Sequence, residues 1–145
     1  MIIDIIGDIH GYADKLVGLL NQLGYEHNGQ HFVPPAGHRA LFIGDLIDRG
    51  SQQLATLEIV FAMLDADVAD AVMGNHEYNA LAYATLDPED SSQYLRSHNA
   101  VHKRQHEAFL AEIPFGSEQH EYWLQRLYEI PLWIETDYAC FVHAC

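Results

Sequence analysis

Three oxygen-bearing side chains occupy equivalent places in this sequence. Asp8, Asp45 and Asn75 each follow a glycine, and each glycine closes a short apolar run: Ile6-Gly7-Asp8, Ile43-Gly44-Asp45 and Met73-Gly74-Asn75. Close behind them come His10, then Asp48 with Arg49, then His76 with Glu77. Carboxylate, amide and imidazole donors together suit manganese, iron or zinc. Calcium prefers an all-oxygen cage and structural zinc prefers thiolates. Glycine at each exit lets the backbone turn sharply and approach an ion closely.

Groups so far apart in sequence can share one ion only if the fold brings them together. The runs Ile2 to Ile6, Ala40 to Ile43 and Val68 to Met73 have strand length, and the near-continuous hydrophobicity of the first two predicts strands buried on both faces. Between them lie helical patterns. Tyr12, Leu16, Leu19, Leu20 and Leu23 share one helix face with Gly24 as terminator, and Leu54, Leu57, Phe61 and Leu64 do the same behind Ser51 as N-cap. Alternating strand and helix predicts an α/β fold with a mainly parallel βαβ sheet, interrupted by a short excursion from Tyr25 to Val33. The carboxyl ends of parallel strands open onto one crevice, so Asp8, Asp45 and Asn75 are expected to converge there. Further on, Tyr94 to Ala111 and Ser117 to Tyr128 read as helices, and Leu132 to Thr136 and Tyr138 to His143 as two strands joined at Asp137.

Composition limits the function classes. The chain has 145 residues, 49% of them hydrophobic, which suffices for one packed domain. Seven Lys and Arg against 21 Asp and Glu give a formal charge of -14, which argues against general nucleic-acid binding. The apolar opening is far shorter than a membrane span and lacks the flanks of a signal peptide, so the expectation is a cytoplasmic protein with no membrane contact. Cys140 and Cys145 lie close together without metal-type spacing, and free thiols are expected.

The blocks GDIHG at 7–11, GDLIDRG at 44–50 and GNHE at 74–77 resemble the signature of calcineurin-like metallophosphoesterases, in the version found in phosphoprotein phosphatases and bacterial dinucleoside tetraphosphatases. The stretch EIPLWIETDYACFVHAC resembles the family segment that delivers a further metal-binding histidine, so the likeness covers nearly the whole chain. It implies a metallophosphoesterase-type sandwich with a helical insert at about 78–128. Two divalent ions are implied as cofactors, manganese first and iron or zinc next. Asp8 and His10 would hold one ion, Asp45 would bridge both, and Asn75 and His143 would hold the second. His76 would donate a proton, Asp48 would orient His76, and Arg49 and Asn75 would meet the substrate phosphate. Glu77 is expected to fix its loop by hydrogen bonds. The implied substrates are a phosphorylated small molecule, a nucleotide or a phosphoprotein.

Full-length relatives continue past residue 145, with a later Gly-His loop and a second phosphate-binding arginine. The likeness therefore implies one domain, 1–145, lacking its C-terminal part and with its second sheet incomplete. Some of Leu132, Trp133, Ile134, Phe141 and Val142 would then form an open apolar surface, covered either by self-association or by the remaining segment of a longer native polypeptide that also supplies the further histidine. The alternative function is a metal-binding or interaction domain impaired in catalysis by the absent ligand. A metal-free nucleotide-binding module fits less well, because neither GxGxxG nor a Walker-type GK[ST] pattern occurs. His98, His102 and His106 stand at i, i+4 and i+8 of a predicted helix, among Arg96, Lys103 and Arg104. They read either as a solvated helix face or as an element that meets substrate phosphate.

Overall fold

The computed structural model describes residues 1–144; Cys145, expected as a free thiol, lies outside the described residues. Strand β1 (Ile2–Ile6) leads through helix α1 (Ala13–Gln22) to a small antiparallel hairpin, β2 (Glu26–His27) with β3 (Phe32–Val33). Strand β4 (His38–Phe42), helix α2 (Gln53–Asp65) and strand β5 (Ala69–Ala71) complete a parallel three-stranded sheet in the order β1-β4-β5. Ile6 pairs with Phe42, and Phe42 with Ala71, so the three strands end level with one another. The predicted crevice opens beyond that shared end.

The core lies between this sheet and the helices. Leu20 of α1, Phe42 of β4 and Leu57, Val60 and Met63 of α2 are fully buried. Burying an aliphatic or aromatic side chain of this size contributes roughly 1.5–3 kcal/mol. Strand β1 departs from expectation. Ile2, Ile3 and Ile5 are exposed, and only Ile6 is sealed, because β1 is an edge strand with one face unpacked among the described residues. Four isoleucines around Asp4 signal an apolar environment without saying what supplies it.

The helical insert begins earlier than predicted. Helix α3 (Asn75–Ala84) starts directly at the exit of β5, so Asn75 and His76 occupy its first turn. An isolated bridge between Leu86 and Tyr94 follows, then α4 (Ala100–Glu112) and α5 (Glu118–Tyr128). The predicted helix from Tyr94 starts instead at Ala100, capped by the Asn99 side chain on the N–H of His102. Ser117 caps α5 in the same way through His120. Helix α2 is not capped by Ser51: its boundary residue is Gln52, and the free N–H groups of Gln53 and Leu54 are taken by the carboxylate of Glu112, at 2.6 and 3.3 Å. That carboxylate closes α4, so one side chain joins the insert to the sheet domain and places negative charge at a helix N-terminus, where the dipole favours it.

The chain then returns to the sheet. Pro131 accepts a hydrogen bond from the N–H of Met73, and β6 (Trp133–Glu135) pairs antiparallel with β7 (Cys140–Val142), as the two-strand reading expected. This two-stranded sheet is the small second layer. Leu132 and Trp133 are 53% and 57% exposed. No helix among the described residues is long and apolar enough to cross a membrane.

Candidate metal centre

Asp8, Asp45 and Asn75 follow the ends of the three parallel strands, and the loops that carry Asp8 and Asp45 are bound to one another through the backbone. The N–H groups of Ile9 and His10 both donate to the carbonyl of Asp45, Gly11 donates to Leu46, and Gly50 donates back to His10. Such bends need unusual backbone. His10, Asp45, Asp48 and Arg49 all have positive φ, between 48° and 71°. Non-glycine residues in that region carry strain of about 1 kcal/mol or more each, which must be held by surrounding contacts. Gly74 is required for a different reason: a Cβ there would collide with the backbone N–H and side chain of Asp45.

Glu77 supplies much of the holding force. It is fully buried and its carboxylate accepts hydrogen bonds from the N–H groups of Asp45, Leu46, Ile47 and Gly74, at 2.7 to 3.3 Å. Burial pushes its pKa up, and the backbone N–H groups pull the other way. Gln53, also fully buried, does similar work on the next loop: its side chain accepts from the N–H of Asp48 and donates to the carbonyl of Gly50. The expected loop-fixing role of Glu77 matches this geometry. Gln53 went unnoticed in the sequence, where it reads as an ordinary polar position at a helix start.

The ring tautomers of two histidines follow from their bonds. His10 donates through Nδ1 to the carbonyl of Ile47 at 2.8 Å, and His143 donates through Nδ1 to the carbonyl of Ile43 at 2.6 Å. In the neutral ring this arrangement leaves Nε2 as the acceptor atom. The His10 Nε2 is buried without a hydrogen-bond partner among the described residues, 3.7 Å from both Asp8 Oδ2 and Asp45 Oδ2. The His143 Nε2 lies 3.4 Å from the same Asp45 oxygen and 3.0 Å from Asn75 Oδ1. Acceptor atoms crowded in this way repel one another unless a cation lies among them. Asp8, Asp45 and His143 bring ligand atoms within 4.8 Å of one another, as do His10, Asp45 and His76, and Asp45 belongs to both groups. The donor set therefore fits divalent cations, and all five residues expected as ligands come together.

His76 has a second engagement. Its backbone N–H donates to Asp45 Oδ1 at 3.1 Å, while its ring donates through Nδ1 to Asp48 Oδ2 at 2.6 Å. That bond raises the His76 pKa despite partial burial. Asp48 holds a second histidine as well: His106 Nδ1 donates to Asp48 Oδ1 at 2.7 Å. Burial alone would raise the Asp48 carboxyl, but the bonds from His106 and His76 outweigh it and hold it below the ordinary carboxylate value.

His106 is the site residue that sequence reasoning missed in this role, and the reading of three histidines on one helix face is corrected. His98 precedes α4 and is stacked between Tyr83 and Tyr94, with ring centroids at 3.7 and 4.1 Å. His102 turns back to the carbonyl of Ser97, and His106 alone is buried, pointing to Asp48. Their equal spacing made them look equivalent, whereas the start of α4 at Ala100 and the path of the chain before it separate them. Arg49 is exposed beside Asn75 and His76, where it lines a cavity of about 500 Å3 together with Arg96 and Arg104.

Comparison with known proteins adds three findings. A family model described as calcineurin-like phosphoesterase matches residues 1–134, a range that leaves His143 outside. The chain is 46% identical over 76 residues to a bis(5'-nucleosyl)-tetraphosphatase PrpE (asymmetrical) of Geobacillus sp. strain WCH70, covering 52% of this chain and 31% of that protein. A namesake from Halalkalibacterium halodurans is 42% identical over 73 residues, covering 50% of this chain and 30% of the relative. The matched segment thus spans under a third of these curated relatives. Among solved structures, a metallophosphoesterase from Sphaerobacter thermophilus superposes with a TM-score of 0.52 at 19% identity, over 92% of this chain and 42% of that one. A cold-active protein tyrosine phosphatase gives 0.54 at 20% identity, over 85% and 36%. These likenesses establish a shared fold.

Proposed function

We infer function from family: the chain belongs to the calcineurin-like phosphoesterases, and its cluster serves metal-dependent hydrolysis of a phosphate ester or anhydride. The observation that carries this reading is the Asp45 carboxylate, whose Oδ2 faces the bare Nε2 of His10 on one side and that of His143 on the other. Only a carboxylate readily spans two cations. On this reading Asp8, His10 and Asp45 hold one ion, and Asp45, Asn75 and His143 hold the second. Manganese is favoured and iron or zinc come next, by donor type. When bound, such a pair supplies charge neutralisation on the phosphoryl group and a nucleophile from water near neutral pH.

The remaining work falls to the chain itself. Arg49 and Asn75 hold the phosphate oxygens, with Arg49 free to bind bidentately because it has no carboxylate partner among the described residues. His76, kept protonated above the ordinary histidine range by Asp48, presents Nε2–H to the leaving oxygen and releases its proton as the bond to phosphorus breaks. Asp48 orients the ring and stabilises its charged form beforehand. The substrate class is a nucleoside polyphosphate, supported by the activity for which the PrpE relatives are named. A phosphomonoester, including a phosphoprotein, is the second candidate. We place the reaction in the cytoplasm. We also propose that the chain forms one domain, and that it self-associates through the β6–β7 hairpin, where Leu132 and Trp133 are exposed.

Elemental analysis of the purified chain, combined with manganese-stimulated hydrolysis of a dinucleoside tetraphosphate and of an aryl phosphate, tests the reading. Two metals per chain with turnover of the tetraphosphate are expected, and Asp45→Asn should lose both metals. Metal without turnover of either compound would favour a binding domain instead. Retention of both metals by Asp45→Asn would overturn the ligand assignment.

A further inference from the structure

The chain has five arginines, and their partners divide them sharply. Arg39 is bonded to Asp67 and Asp70, and Arg126 to Asp65, so both are neutralised locally. Arg49, Arg96 and Arg104 have no carboxylate within ion-pair distance among the described residues, and all three line the same cavity of about 500 Å3 beside Asn75 and His76. Arg49 comes from the loop after β4, Arg96 from the segment before α4, and Arg104 from α4 itself. Three guanidinium groups from separate stretches, converging in a protein of formal charge -14, repel one another unless an anion joins them.

The cavity also has means of holding its cations in place. Arg96 donates to the side-chain oxygen of Gln105 at 2.9 Å, which fixes its direction while leaving other guanidinium hydrogens free. Glu107 lines the same cavity without an ion pair to any of the three arginines. Its negative charge offsets one arginine, and two positive charges remain in excess.

We propose that Arg96 and Arg104 form a subsite for the phosphates of a phosphate chain beyond the one attacked, with Arg49 at the junction between this subsite and the metal centre. This rests on the phosphoesterase reading for its place in a reaction, although the anion site itself does not need the metals. A phosphomonoester brings one phosphate and is met by Arg49 alone. A linear polyphosphate carries a further negative charge on each added phosphate and has oxygens in the right number for the two additional guanidinium forks.

The decisive measurement is calorimetric binding of inorganic tripolyphosphate and of inorganic phosphate to metal-stripped protein, with no turnover involved. Wild type is expected to bind tripolyphosphate at least about 10-fold more tightly than phosphate, with an affinity that falls as salt rises. The double variant Arg96→Gln/Arg104→Gln should lose that preference while its phosphate affinity changes by less than about twofold. Lys103→Gln removes one positive charge from α4, outside the cavity lining, and should behave as wild type. An unchanged preference in the double variant, or an equal loss in Lys103→Gln, overturns the proposal in favour of general electrostatics. Turnover by metal-loaded protein is read separately. If tripolyphosphate binds as expected but no phosphate compound is hydrolysed, the subsite stands and the phosphoesterase reading fails. Hydrolysis without arginine-dependent binding would mean the reverse.

Discussion

The metal cradle and the helical insert are built on opposite plans. The cradle consists of the loops 7–11 and 44–50, bent into left-handed backbone and tied together by main-chain hydrogen bonds, and of the start of α3 at 74–77, joined to them through the side chains of Glu77 and Asp45. Its charged groups are mostly buried, and two side chains, Glu77 and Gln53, satisfy most of its inward-facing amides. The insert uses regular helices with ordinary side-chain caps, exposes most of its polar surface, and sends in individual side chains such as His106 and Arg104. In the cradle a ligand's position is a property of the backbone, so disturbance at one residue reaches all the ligands. In the insert each contribution is separable.

The largest effect is therefore expected where the cradle depends on one group. Glu77→Ala leaves the N–H groups of Asp45, Leu46 and Gly74 without their buried acceptor, at a cost of roughly 1–3 kcal/mol for each unsatisfied group. A loss on the order of 4 kcal/mol in urea-monitored stability should accompany loss of metal binding. Glu107→Ala, an exposed residue of α4, should change stability by no more than about 0.5 kcal/mol. Similar losses for the two would abolish the distinction between backbone-held and side-chain-held regions.

Next come the histidines on either side of Asp48, one from each region. His76→Asn should keep its metal and lower turnover by about 100-fold, the usual scale for a lost general acid. The drop should be smaller for an activated aryl phosphate, whose leaving group departs without protonation. His106 acts through Asp48, so His106→Phe should show the same leaving-group pattern at about 10-fold, the lower end for losing a group that orients a functional histidine. His106→Gln can still donate to Asp48 and should recover part of the rate. Equal losses on aryl and alkyl substrates in both variants would reduce the chain from His106 to His76 to a packing arrangement.

The cradle was legible in the sequence because its requirements are local. A glycine, a turn and a ligand must follow one another, and a parallel sheet then aligns three such exits whatever lies between them. Even His143, a hundred residues from Ile43, donates to the carbonyl of that residue and lies beside Asn75. What stayed hidden depends on tertiary direction. The spacing of His98, His102 and His106 implied one shared face, yet the helix boundary and the stacking of His98 between two tyrosines send them to different surroundings. The apolar run of β1 gave its hydrophobicity but not the neighbour that would cover it. The reach of Glu112 to the start of α2, across 59 residues, has no sequence signal, because capping is usually assigned to a residue adjoining the helix.

The smallest expected effect concerns the response of the two regions to acid. His120, on α5, is buried and accepts from the N–H of Gly116 through Nδ1, and its Nε2 has no partner among the described residues. Burial, with a contribution from nearby His106, pushes its pKa below the ordinary histidine value of about 6.5. A histidine depressed in this way stabilises the fold fully above that ordinary value. Below it the opened insert binds a proton that the closed insert does not, so stability falls as pH falls toward the folded pKa, by at most about 1.4 kcal/mol per pH unit. Asp48, whose pKa is depressed in the folded state, contributes acid sensitivity only at lower pH, near and below the ordinary carboxylate range. Amide-exchange protection factors in α4 and α5 should therefore decline between pH 6.5 and 5.5 while those in β4 hold steady, and His120→Phe should flatten the decline. A parallel decline in β4 and α5 would mean that cradle and insert open as one unit, and that their separate construction does not extend to their stability.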